Sequence, residues 1–237
     1  MKILRDWEIS LTVDQVLLGQ GADPQVIRKR RPALIQIAEW ALSEGTQLIE
    51  PAVLVEEFEV LGVRHERLLL SGGAALAGSL IVQHLAGASQ VILMVCTIGG
   101  QLESVSQELM KTDPLLALGL EGVGTAAVEA LGTMACSRFE TRAREAGLQP
   151  SIPLSPGMVG WPVDPGQKQV FSLVDAAQIG VSLTSSLMMK PRMSLTQALG
   201  FGVEMAFQGR TCDYCSLNET CRYQDHYAQA HEKSPPG

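Results

Sequence analysis

The sequence predicts an α+β fold: a twisted antiparallel sheet with helices packed on it. Three observations carry that prediction. Gln90 to Thr97 is an almost unbroken apolar run of strand length, which suits a central strand covered on both faces. A long apolar stretch rich in glycine and alanine begins at Asp113-Pro114 and continues to about Ala146, which suits one long helix. Strand-like and helix-like segments do not alternate strictly, as a doubly wound parallel sheet would require.

The elements follow in order. Ile3 to Thr12 alternates apolar and polar residues and predicts a first strand, and Asp14 to Leu18 predicts a short helix ended by Gly19 and Gly21. Asp23-Pro24 supplies an N-cap followed by proline at the first position of a short helix, which leads into a longer one over Pro32 to Ser43. Ala52 to Leu61 and Glu66 to Leu70 are strand-like, and Ser71-Gly72-Gly73 is expected to open a helix over Ala74 to Ala86. After the Gln90–Thr97 strand come a helix over Leu102 to Met110 and the long helix. Its Gly119, Gly122 and Gly124 predict close backbone packing, since each glycine in a helix costs about 1 kcal/mol relative to alanine. Pro150 to Gly166 carries five prolines and three glycines together with Met158, Val159 and Trp161, an ordered loop rather than a linker. A helix over Gln167 to Ile179 and strands over Val181 to Met189 and Ser194 to Val203 complete the reading, with a polar tail expected to fray. Three regions are expected: 1–88, an N-terminal α/β region; 89–205, the core; and 206–237, a cysteine-rich segment and tail.

The chain has 237 residues, 46% of them apolar, which is enough for a core without covalent staples. Its net charge of −7 argues against nucleic acid and anionic membrane as partners, because phosphate binding draws on an excess of Lys and Arg. The short basic run Arg28-Lys29-Arg30-Arg31 reads as the solvated end of a helix. The first residues carry charge where a signal peptide needs an apolar run, and no apolar segment requires a membrane. A cytoplasmic location is therefore expected.

In a reducing compartment clustered cysteines hold metal more often than they pair, and five cysteines cannot all pair. Cys212, Cys215 and Cys221 form a Cys-x2-Cys-x5-Cys pattern, whose thiolates suit zinc or an iron–sulfur cluster. The spacing resembles the C-terminal clamp of several four-iron proteins, in which a distant cysteine is the fourth ligand. Cys96, at the end of the apolar strand, is the first candidate for that place and Cys136, inside a helix, the second. Zinc held by the three thiols with His226 or His231 is the alternative.

Three segments point to a family: Ser155 to Pro162 (Ser-Pro-Gly-Met-Val-Gly-Trp-Pro), Gln167 to Val174, and Ile179 to Ser194. Together they resemble the activation domain of cobalamin-dependent methionine synthase. Upstream, Thr97 to Glu103 and the helix around Val128-Glu129-Ala130 are similar to its stand-alone relatives. The resemblance implies an α+β domain with a C-shaped arrangement that binds S-adenosylmethionine while docked on a cobalamin-carrying domain. There, cob(II)alamin is reduced by one electron from a flavoprotein and trapped by methyl transfer. The family loop reads Arg-Pro-Ala-Pro-Gly-Tyr, and its arginine, alanine backbone and tyrosine contact the ligand. The arginine position is Pro153, the alanine is Ser155, Pro156-Gly157 match, and the tyrosine position is Met158. Proline has no side-chain donor and methionine no phenol, so weak S-adenosylmethionine binding, or none, is expected.

Combined with the cysteines, the resemblance predicts a protein that reactivates a separate corrinoid methyltransferase lacking its own activation domain, with an electron donor and a cluster at Cys212, Cys215, Cys221 and Cys96 as relay. Zinc has no redox chemistry, so the cluster is preferred. A non-catalytic, zinc-stabilised docking module for a cobalamin-binding domain is the second reading, and methyl transfer from S-adenosylmethionine to cobalamin the third. His65 and His84 read as structural or surface groups, and Glu103, Glu121 and Glu129 as exposed or capping carboxylates on helices. Ser71-Gly72-Gly73 lacks the residues of a phosphate loop, and Thr184-Ser185-Ser186 lacks the setting of a nucleophile.

Overall fold

A computed structural model describes residues 1–205 and 209–221. In chain order its elements are β1 (Lys2–Leu4), α1 (Val13–Gly19), α2 (Pro24–Arg30), α3 (Ala33–Gly45), β2 (Ala52–Arg64), β3 (Arg67–Leu70), β4 (Ala75–Ala77), α4 (Ser79–Leu85) and β5 (Gln90–Thr97). Then follow α5 (Gln101–Leu109), α6 (Pro114–Glu145), β6 (Gln149–Pro150), α7 (Val163–Leu173), β7 (Ser182–Leu183), β8 (Met189–Lys190) and β9 (Ser194–Gly202).

Seven strands make one antiparallel sheet in the order β4-β3-β2-β5-β9-β6, with β1 also pairing β2. β5 is central. It runs Ala52↔Thr97 to Glu59↔Gln90 against β2, and Gln90↔Phe201 to Thr97↔Ser194 against β9. Segments on both sides of residue 88 therefore share one hydrogen-bonded sheet.

The apolar run of β5 divides by the two-residue period of a strand. Ile92, Met94 and Cys96 join Val53, Val55, Leu199 and Phe201 in a core covered by the helical layer. Val91, Leu93 and Val95 join Leu54, Ala198, Leu154 and Trp161 on the other face. Both faces being buried, β5 needs no polar alternation.

The helices start where their caps direct. Thr12 and Gln15 form a reciprocal capping box at α1, the Asp23 carboxylate accepts from the Gln25 and Val26 amides, and the Asp113 carboxylate accepts from those of Leu115 and Leu116. The basic run ends α2, where Arg28 pairs with Asp14 on α1. α6 has 32 residues and packs against α1, α3 and α5. By length and composition it could cross a membrane, but 61% of its most apolar stretch is buried within the fold. Its glycines serve contact: a Cβ on Gly19 would strike the Gly122 carbonyl, and one on Gly122 would lie 2.5 Å from the Val16 carbonyl oxygen. The expected backbone packing is realised between α1 and α6.

Four expectations are corrected. The first strand stops at Leu4; Trp7, Ile9 and Leu11 alternate because they lean on the helical core without pairing. The helix expected from Ala74 is divided into β4 and α4, because Gly78 turns the chain at φ 153°. The helix after the loop begins at Val163 and ends at Leu173, with Ala176–Ile179 a separate 3-10 turn. The strand expected over Val181 to Met189 is a small hairpin, β7 paired with β8 through two residue pairs.

Candidate functional site

The Pro153–Trp161 segment lies on the face of the sheet away from α1, α3 and α6. Leu154 is fully buried and exchanges backbone hydrogen bonds of 2.9 and 2.8 Å with Ala198, fastening the segment to β9. Trp161 is fully buried too, and its indole Nε1 donates to Gln169 Oε1 at 3.3 Å. The same oxygen accepts from the Ala77 amide at 3.1 Å, so one side chain of α7 holds both the segment and β4. The Gly160 carbonyl accepts from the Leu80 amide at 3.3 Å at the start of α4. A Cβ at Gly160 would meet Ser79 Oγ at 2.7 Å, which accounts for glycine there.

Ser155, Pro156, Gly157 and Met158 share one tight turn. The Met158 amide donates to the Ser155 carbonyl at 3.2 Å, and the Gly157 and Trp161 amides close the turn at 2.8 and 2.9 Å. Met158 is 7% exposed, with its side chain folded back so that Sδ lies 3.0 Å from the Ser155 amide. The residue at the family's tyrosine position thus caps its own turn, and the one at the arginine position, Pro153, is buried.

The cysteine segment lies against this turn. Residues Thr211–Tyr214 form a 3-10 turn whose Arg210 amide is held by the Asp213 carboxylate at 2.7 Å. The Val159 amide donates to the Tyr214 carbonyl at 2.8 Å, and Met158 and Cys215 form a β-bridge. The Thr211 and Ser216 hydroxyls donate to the Pro153 and Gly157 carbonyls, each at 3.4 Å. The Tyr214 ring sits edge-on to His84 of α4, centroids 4.7 Å apart, and its hydroxyl accepts from Gln83 Nε2 at 3.3 Å. His84 is buried and its Nε2 makes no hydrogen bond among the described residues; burial lowers its pKa and keeps it neutral.

The expected metal ligands do not come together. Cys96 lies in the helix-side core, whereas Tyr214 packs on the opposite face of the sheet, so the fourth thiol and the tail are separated by the sheet itself. A strand end that looked like a ligand position is filled by core packing. Cys136, the second candidate, is buried on the same helix side and donates its thiol to Gln197 Oε1 at 3.3 Å. Burial pushes both thiols well above the ordinary range. Cys212, Cys215 and Cys221 are partly exposed. Among the described residues no three His, Cys, Asp or Glu side chains are gathered to hold a metal ion. His226 and His231 lie outside the described residues.

One cluster was not foreseen. Arg192, after the β7–β8 hairpin, donates from Nε to Glu103 on α5 at 3.0 Å and from Nη2 to Glu121 on α6 at 2.9 Å. Ser106 Oγ completes Glu121 at 2.8 Å. Glu103 and Glu121, expected as exposed or capping carboxylates, are instead mostly covered and anchor Arg192. Nothing in the sequence pairs residues so far apart. His84 and Tyr214 were missed for the same reason.

No protein-family model matches the chain, and no curated protein matches it. Among solved structures, the crystal structure of the MetH reactivation domain bound to AdoHcy is similar at a TM-score of 0.64, covering 98% of this chain and 86% of that chain, at 11% identity. The chain has the fold of the MetH reactivation domain. The likeness includes the N-terminal strands and helices, which carried no resemblance in the sequence, and at this identity it speaks for fold alone.

Proposed function

We propose that this chain works in trans on a cobalamin-carrying methyltransferase, docking on the corrinoid domain and assisting its return from the inactive cob(II) state. The observation that carries this reading is the fold of a reactivation domain over 98% of the chain, with the Ser155–Pro162 resemblance on an ordered turn at the sheet.

The neighbour's bound AdoHcy points to an adenosyl ligand, and the turn argues against a side-chain clamp for one here. Pro153 has no donor, Met158 is folded onto Ser155, and the tail covers the backbone. The geometry favours docking, with any ligand recognition left to backbone groups. An iron–sulfur relay through Cys212, Cys215 and Cys221, or zinc in its place, is a finer reading that rests on spacing. Elemental analysis of anaerobically purified protein tests it, and stoichiometric zinc without iron removes the relay.

The decisive experiment mixes the full-length chain with a cobalamin-loaded methionine synthase fragment that lacks its own reactivation domain. Co-elution on gel filtration and a perturbed cob(II)alamin absorption spectrum are expected. Separate elution with an unchanged spectrum would overturn the proposal.

A further inference from the structure

Whatever recognition the Pro153–Trp161 turn retains is backbone recognition, and the tail takes that backbone. The Val159 amide is bound by the Tyr214 carbonyl at 2.8 Å, the Pro153 and Gly157 carbonyls by the Thr211 and Ser216 hydroxyls at 3.4 Å, and Met158 by the bridge to Cys215. We propose that residues 211–221 are a strap closing this turn, and that an adenosyl ligand reaches the turn only when the strap lifts. The inference rests on the reading of this turn given under the proposed function.

Among the described residues the strap carries no disulfide. None of its residues is fully buried, and Leu217 is 62% exposed. Tyr214 is its side chain packed on the helix α4, through the ring on His84 and the hydroxyl on Gln83. Segments with few buried contacts open locally at low cost, independently of the global fold. A ligand that binds only the open form has its apparent affinity reduced by the open fraction. A strap open in about a tenth of molecules weakens binding about tenfold.

The test uses full-length wild type, Tyr214→Ala and Tyr214→Phe, with S-adenosylhomocysteine as probe in calorimetric titration and hydrogen exchange read at the Val159 amide. Tyr214→Ala is expected to speed Val159 exchange and to tighten S-adenosylhomocysteine binding by about tenfold. Tyr214→Phe, which keeps the ring on His84, is expected to stay close to wild type. Should Tyr214→Ala fail to fold by circular dichroism, the double variant Thr211→Val, Ser216→Ala removes two donors at the strap and takes its place. Unchanged Val159 exchange in the loosened variant would overturn the strap. So would equal affinity in wild type and variant, or a freed Val159 amide with no gain in binding. None of these outcomes bears on complex formation with the cobalamin-loaded fragment, which judges the docking reading separately.

Discussion

The two faces of the sheet are covered in opposite ways. The helix-side core is closed by one 32-residue helix laid across α1, α3 and α5, with small residues bringing backbones into contact, and its load is shared among many fully buried side chains. The opposite face is covered by two short helices, an irregular segment and the tail. Many side chains are fully buried there too, Leu68, Leu76, Leu80 and Ile81 among them, but the irregular segment and the tail are joined to them through a few groups: Trp161, the single oxygen of Gln169, and Tyr214 against His84. One face is closed by a single long helix, and the other by several short pieces joined to one another by individual side chains. The sequence likeness to the activation domain of methionine synthase falls largely on the second, in Ser155–Pro162 and Gln167–Val174.

The sharpest way to break this comparison is Trp161→Ala. If order on the loop side is concentrated, removing this fully buried ring costs about 3–5 kcal/mol in denaturant unfolding. A loss near zero would mean that the segment is held elsewhere. Gly122→Ala probes the scaffold. Its Cβ would meet the Val16 carbonyl oxygen at 2.5 Å and Gln20 Cγ at 2.7 Å, and a cost of about 1–3 kcal/mol is expected, with the Val159 amide exchange unchanged. Equal disturbance of both faces would show that they are not independent.

The smallest effect is on pH dependence. Burial lowers the pKa of His84, so below its ordinary value of about 6.5 the unfolded chain binds a proton that the folded chain refuses. Stability should be complete above about pH 6.5 and fall as the pH drops through and below it. The midpoint of urea unfolding, followed across that range, checks the sign. His84→Gln should flatten the slope, and an unchanged slope would assign it to other groups.

Much of the scaffold was legible because its signals are local. The Asp23-Pro24 and Asp113-Pro114 caps, the apolar run of β5 and the glycines of α6 each specify their element from neighbours in sequence. The errors fell where tertiary contact overrode pattern. Trp7, Ile9 and Leu11 alternate as a strand would, yet they lie against helices. The Ser155–Met158 turn was found through resemblance, but its closure by Met158 Sδ and by residues 211–216 was not, because those contacts join residues whose types give no hint of pairing. Cys96 was misread for a related reason. A thiol at a strand end looks the same in sequence whether it faces a ligand or a packed core.

Gln169 has one further consequence. Its carbonyl oxygen serves both the Trp161 indole and the Ala77 amide, and β4 is the outermost strand on its side of the sheet. A displacement of either partner leaves a part-buried donor unanswered, so the two are coupled through one side chain. Force applied at the turn by a bound protein would be delivered to the sheet's far margin through a single amide side chain.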